Sequence, residues 1–313
     1  MKIIKIFYSV LIFSLFAACE NTEEVLTPNF SVSVNQPIKV GEEVTFTIEN
    51  TPDFLVFYSG EFGKEYIHRK RTNAEGTVNM SFEAAQNFQN GTSLSNPGLS
   101  VQYATNYDGS GTPEAIAAAN WTDISSKFTL PTARSYDWTL SGNGDITDIA
   151  ATLKPVNIAY KILSTGKTSD GNRQGEYRLY NININLSVPN LQDPLTIADM
   201  NSINWQMVNV KGTNTDVNKD QWIYWSANPS DFFRMNGTSA DYINEDWLIT
   251  EALNLTAISP DKPDNVKSYA ENLKEYTFTY SKAGTYKATF VGNNTTIYGS
   301  QQQILELTIE VTN

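Results

Sequence analysis

The chain has one cysteine and one histidine among 313 residues. A lone cysteine cannot form a disulfide within the chain. The two counts together exclude zinc sites built from histidine and cysteine. A Ser-His-Asp triad would have to use His68, which lies in the basic run "HRKR", and no G-x-S-x-G elbow occurs anywhere. His68 therefore reads as a surface residue, and the run as a solvated turn between two domains. Gly-rich phosphate loops and dinucleotide fingerprints are also absent. Charged residues make up only 18% and the net charge is −12. That balance argues against nucleic-acid binding, which needs a basic footprint, and against docking to anionic lipid through a polybasic patch. No apolar run reaches the ~20 residues of a transmembrane helix. No long segment has a 3.6-residue period, and the helical candidates "PEAIAAAN" and "LTIADMN" are short.

What is present begins at the N-terminus. Lys2 and Lys5 precede an apolar run ending at Phe16, then Ala17, Ala18 and Cys19. A basic start, an apolar middle and small residues at a cleavage point describe a secretory signal over residues 1–18. The order resembles a bacterial lipobox, with Phe16 where leucine is usual. That resemblance implies that Cys19 is lipidated and holds the protein to a membrane, each buried methylene contributing ~0.8 kcal/mol. Residues 19–28 form an acidic tether. Glu20, Glu23 and Glu24 resemble the surface-export signals of Bacteroidota lipoproteins, which implies the outer face of the outer membrane. Removing residues 1–18 takes away two lysines and no acids, leaving 20 basic and 34 acidic residues and a net charge of −14.

Beyond the tether, strand patterns dominate. "EVTFTIE" alternates Val44, Phe46 and Ile48 against threonines, and "NININLSV" alternates Ile182, Ile184, Leu186 and Val188 against asparagines. Such period-two runs, bounded by Gly, Asn and Pro clusters, are half-buried antiparallel strands. Abundant hydroxyl and amide side chains with 12% aromatics also read as β-sandwich material. Residues 29–72 and 265–313 each hold too few strands to close a sandwich alone, but together they supply six or seven. The expected architecture is all-β. An Ig-like β-sandwich is split by an inserted domain, residues 73–264, whose eight or so strands and long loops predict a jelly roll.

The tail "TYKATF" resembles the closing strands of PKD-type Ig-like domains. Three short motifs carry a wider resemblance: "FYSGE" (Phe57 to Glu61), "WTDI" (Trp121 to Ile124) and "WLI" (Trp247 to Ile249). Together they resemble a family of Bacteroidota lipoproteins carried under a domain-of-unknown-function label (5017-type), over nearly the whole mature chain. The inserted part is similar to the jelly-roll modules of adhesins and carbohydrate-binding domains. The resemblance implies association with polysaccharide-uptake systems, and hence an outer-membrane transporter as partner.

The leading ligand site is "QWIYWSANPSDFFRMNG". Flat aromatic rings stack on the apolar faces of sugars, while amides and carboxylates bond their hydroxyls. Trp222 and Tyr224 share one strand face, and Ile223 and Trp225 the other. One pair should be core, and the other, with Asn228, Asp231, Phe232 and Phe233 on the following loop, should meet the ligand. Calcium, which jelly-roll modules often carry, has two candidate loops. One holds Asn106, Asp108, Ser110 and Glu114, the other Asp145 and Asp148, and both also read as solvated turns. "NEDW" sets Glu245 and Asp246 on opposite strand faces, which makes it a structural edge rather than a catalytic pair. The expected function is lipid-anchored capture of a glycan at the cell surface, without catalysis. An adhesin recognising protein is the alternative, and a glycoside hydrolase the third.

Overall fold

The computed structural model describes residues 24–87, 98–132, 134–164, 175–189, 191–212, 221–227, 230–236 and 243–313. They fold almost entirely as β-strands. In chain order these begin with β1 (Ser31–Val34), β2 (Ile38–Lys39), β3 (Glu43–Glu49) and β4 (Phe54–Tyr58). Next come β5 (Thr77–Asn87), β6 (Gly98–Ala104), β7 (Thr122–Asp123), β8 (Ser135–Leu140), β9 (Gly144–Asp145) and β10 (Asn157–Ser164). β11 (Glu176–Ser187), β12 (Leu195–Asp199), β13 (Trp205–Lys211), β14 (Trp222–Trp225), β15 (Phe232–Met235) and β16 (Asn244–Thr250) follow. The last four are β17 (Asp264–Lys267), β18 (Glu275–Thr279), β19 (Gly284–Thr296) and β20 (Gly299–Thr312).

The chain divides into two compact units. One is the chain up to Arg71 together with Ser259–Asn313, and the other is Thr72–Ile258. The second unit thus ends at Ile258 rather than 264. Asp261 explains the difference, because its carboxylate accepts the Glu65 N–H at 2.8 Å and pairs with Arg71 at 2.7 Å, both in the first unit. Arg71 is consequently the half-buried partner of a buried carboxylate rather than part of a solvated turn. Its neighbour Arg69 lies 3.9 Å over the Tyr66 ring.

In the first unit a three-stranded sheet, β1-β3-β18, accompanies a five-stranded one, β17-β4-β19-β20-β2. Val44, Phe46 and Ile48 of β3 point inward and the alternate residues face solvent, as the period of two requires. The core is aromatic: the Phe57 and Phe290 centroids lie 4.7 Å apart, and those of Phe46 and Phe290 5.2 Å apart. In the "FYSGE" motif, Phe57 fills this core and the Ser59 carbonyl accepts the buried Tyr280 hydroxyl at 3.1 Å. Burial pushes the Tyr280 hydroxyl pKa well up. Gly60 follows at φ +85°, and a Cβ there would sit 2.7 Å from the Lys287 backbone nitrogen, so only glycine fits. The described end of the tether is fastened too, with Asn294 Nδ2 donating to the Leu26 carbonyl at 3.0 Å.

The second unit places a five-stranded sheet, β13-β16-β10-β6-β7, around one core with a seven-stranded path, β14-β15-β11-β5-β8 and attached strands. The expected helix "PEAIAAAN" forms over Pro113–Ala118, capped by Thr112, whose hydroxyl accepts the Ala115 N–H at 3.2 Å. "LTIADMN" instead supplies β12, paired to β11, so sheet pairing overrides its helical spacing. The "WTDI" and "WLI" motifs meet, with Trp121 and Trp247 centroids 4.9 Å apart in a small second core beside Ile116. Among the described residues no helix is long and apolar enough to cross a membrane. Replacing Phe57 with alanine should destabilise the first unit by ~3–5 kcal/mol in chemical denaturation, the cost of a large aromatic cavity. A loss below ~1 kcal/mol would show that this aromatic core does not hold the unit together.

Candidate functional site

The seven-stranded path of the second unit hides one face and shows the other. Val78, Met80, Phe82 and Ala84 of β5 point into the core, while Glu83 and Ala85 point outward. Register then decides what surrounds them. Glu83 pairs with Leu140 of β8, so Leu140, Trp138 and Tyr136 share the outer face. Tyr136 and Trp138 are each 36% exposed. Ala85, opposite Arg178, contributes only a methyl, and Trp138 packs on rings of the neighbouring strands. Its ring lies 5.6 Å from Tyr180 and 5.9 Å from Phe232. Beyond β11, Phe232 and Arg234 of β15 and then Ile223 and Trp225 of β14 continue the same face.

Beneath this surface sits a carboxylate. Glu176 is 1% exposed and accepts from Arg178 Nε at 2.6 Å and from Arg234 Nη2 at 2.8 Å. A buried carboxylate alone would cost several kcal/mol, and two charge-assisted hydrogen bonds offset that cost. The guanidiniums are also held by rings. Arg178 lies 4.0 Å from the Tyr136 centroid and 5.0 Å from that of Phe232, and Arg234 lies 4.7 Å from that of Trp225. Burial raises the Tyr136 hydroxyl pKa and the Glu176 charge adds to the rise, against the two arginines.

A polar cleft of about 340 Å³ adjoins the aromatic row and shares Tyr180 and Asp231 with its surroundings. It exists because β11 bulges between Tyr180 and Asn183, with Asn181 at φ +50°. The bulge turns Asn181 and Asn183 toward Asp199 and Asn201 of the following turn. Tyr180 donates its hydroxyl to Ser230 at 3.0 Å, tying the row to the cleft wall. Backbone N–H groups of Ser202 and Asn201 hold the Asp199 carboxyl below the usual carboxylate range. The Ala227 N–H, with the Tyr224 and Ser226 hydroxyls, does the same for Asp231. At neutral pH the cleft therefore presents two ionised acceptors beside side-chain amides, a set suited to hydroxyl groups.

The expected aromatic site divides. Trp222 is 0% exposed and Phe233 1% exposed, so neither can meet a ligand. Both face inward because Trp222 pairs with Met235 and Tyr224 with Phe233 on the core side. Phe232 and Phe233 belong to β15 rather than a loop and point to opposite faces. Tyr224 stands at the rim, bonded to Asp231 at 2.9 Å, and Trp225 is 42% exposed on the outer face. Asn228 and Cys19 lie outside the described residues.

Several oxygens of the two candidate calcium loops accept backbone N–H groups. Asp108 accepts the Ser110 N–H at 2.9 Å, Asn106 the Asn120 N–H at 2.8 Å, and Asp145 the Thr147 N–H at 2.9 Å. Glu114 occupies the first turn of the short helix, and Asp148 pairs with Lys127 at 3.2 Å. No group of three or more His, Cys, Asp or Glu side chains among the described residues could hold a metal ion. "NEDW" is not an edge, because β16 lies between β13 and β10 and all seven of its residues are buried. Burial works to raise the Glu245 pKa, but bonds from Trp247, Lys211 and Lys161 outweigh it and leave the carboxyl lowered.

Sequence reasoning missed Tyr136, Trp138, Glu176, Arg178, Tyr180 and Arg234. "YDWTL" does set Tyr136, Trp138 and Leu140 on one face, but alternation alone does not say whether that face is buried.

Fold and site together define an all-β protein of two sandwiches with an aromatic–arginine surface open to solvent. Residues 18–205, 188 of the 313, match the family described as a domain of unknown function (DUF5017), and the chain belongs to that family. No curated protein matches the chain, and no solved structure does. The match includes β8 and β11 and ends at Trp205, before β14 and β15.

The burial difference predicts opposite stability effects. Trp222→Ala should cost ~3–5 kcal/mol in urea unfolding, whereas Trp138→Ala and Trp225→Ala should each cost less than ~1.5 kcal/mol. Glu176→Gln should cost ~3–5 kcal/mol, because it removes the shared partner of two arginines. Equal losses for the three tryptophans would mean that the outer row is core.

Proposed function

We propose that this chain is a lipid-anchored cell-surface protein that captures glycan or polysaccharide for an outer-membrane uptake system. The first unit serves as a PKD-like spacer, and the second is a jelly-roll-type binding module. The observation that carries the reading is the exposed row Tyr136, Trp138 and Trp225 beside the amide- and carboxylate-lined cleft. Exposed aromatic side chains in one patch mark interaction surfaces. Rings that stack on pyranose faces, next to acceptors for hydroxyls, form the combination that carbohydrate needs. The Bacteroidota setting, the anchor at Cys19 and the outward address rest on the N-terminal sequence pattern.

A second reading, recognition of a protein, is favoured by a different feature. Among the described residues β2 pairs with β20 at Val311 and Thr312, the Gln36 side chain bonds the Thr308 and Glu310 backbone, and no strand pairs with the outer edge from Gly299 to Leu307, while Ile297 at the hairpin tip is 91% exposed. Such an edge suits strand addition.

The full chain in non-ionic detergent should be retarded in native gels carrying at least one polysaccharide from a broad panel. Trp138→Ala or Trp225→Ala should weaken that retardation about tenfold, roughly one stacking contact. Phe54→Ala, an exposed ring in the first unit, should leave it unchanged. No retardation across the panel would move the weight to protein recognition, and release of reducing ends would point to hydrolysis. In cells, Cys19→Ser should abolish labelling by radioactive palmitate, and protease added to intact cells should remove the wild-type protein. Persistence of the label in the variant would sink the anchor.

A further inference from the structure

We propose that the aromatic surface selects a glycan carrying an anionic group, a carboxylate or a sulfate ester, and that Arg178 is the residue that takes it. The inference rests on the glycan reading and adds the ligand's charge to it.

Arg178 is held from two directions. Its Nε donates to the buried Glu176 carboxylate, and its guanidinium carbon lies 4.0 Å from the Tyr136 ring centroid and 5.0 Å from that of Phe232. That leaves its two terminal nitrogens, which accept no role in any hydrogen bond among the described residues, on a side chain 23% exposed. A guanidinium fixed through Nε and open at its terminal edge offers two parallel N–H donors, the geometry that a carboxylate or sulfate matches. The local charge also favours an anion. Arg178 and Arg234 share the one carboxylate of Glu176, and although Glu83 lies on the same face, taken up by Asn181 Nδ2, and Asp231 in the adjoining cleft, the groups set directly against the rings are the two guanidiniums. A neutral sugar surface needs no such cluster, since stacking and hydroxyl bonds suffice.

The surrounding protein works the other way. A net charge of −12 repels polyanions at long range. Salt at physiological strength screens that repulsion beyond ~8 Å, whereas a contact with Arg178 acts at hydrogen-bond distance. Retardation by an anionic glycan therefore cannot come from general attraction to this acidic chain and reports the local site.

The test uses matched polymers and the full chain in detergent. Polygalacturonate is compared with its carboxyl-reduced form, and dextran sulfate with dextran, in native affinity gels at physiological salt. The expected result is that the charged member of at least one pair retards the wild-type chain at least tenfold more strongly than its neutral counterpart. The responding pair identifies carboxylate or sulfate. Arg178→Lys keeps a positive charge near Glu176 but loses the paired donors, so it should remove that preference in a chain that circular dichroism shows to be still folded, with retardation by charged and neutral members falling to the same level. Equal retardation by charged and neutral members would overturn the anionic inference and leave the glycan reading standing. No retardation by either member of either pair, nor by any other glycan, would overturn both. A preference that survives Arg178→Lys would remove Arg178 from the role.

Discussion

A β-strand has two faces, and a sandwich hides only one face of each sheet. That constraint governs the whole molecule. In both units the inner faces carry the apolar residues that hold the fold, so their composition answers to packing. The outer faces are freed from that demand. On the three strands that carry the threonine-rich pattern around β3, the outer positions hold ordinary polar residues. On the seven-stranded path they hold rings, arginines and a buried acid, an arrangement that solubility alone would not select.

The surface is rigid for reasons internal to it. Glu176 cannot leave its arginines without stranding a charge away from water, and the arginines cannot swing out without losing both ring contact and carboxylate. Preorganisation of this kind lowers the ordering cost when a ligand arrives. The bulge in β11 extends the same logic to the cleft, because a positive φ at Asn181 is maintained by pairing on both sides of the irregularity.

Much of this was legible in the sequence. Alternation in "EVTFTIE" and "NININLSV" identifies buried residues correctly, because period two is dictated by backbone geometry. Even the bulge leaves a trace. In β11 the core residues run Tyr177, Leu179, then Ile182, Ile184 and Leu186, and the skipped step falls at the irregularity. The site was less legible. Trp225 and Asp231 were within reach, since one aromatic segment holds both. Tyr136, Arg178 and Arg234 lie far apart in the chain and meet only through strand order, which no local pattern encodes. Trp222 misled for the complementary reason: composition cannot tell a buried ring from an exposed one.

The splitting of the first unit also orders events in time. Val56 pairs with Val291, and Phe46 with Tyr276, across the whole of the second unit. As the chain emerges from the ribosome or a translocon, the second unit is complete once Ile258 has appeared. β1 to β4 must then wait, their apolar faces unsatisfied, until the final strands arrive. Closing a loop of nearly two hundred residues would be slow for a free chain, and the folded second unit shortens it by bringing Arg71 and Ser259 together through the Ala74–Thr256 and Thr72–Ile258 backbone bonds. The inserted unit thus acts as a folding clamp for its host, and a mutation that slows the insert delays a domain it does not belong to.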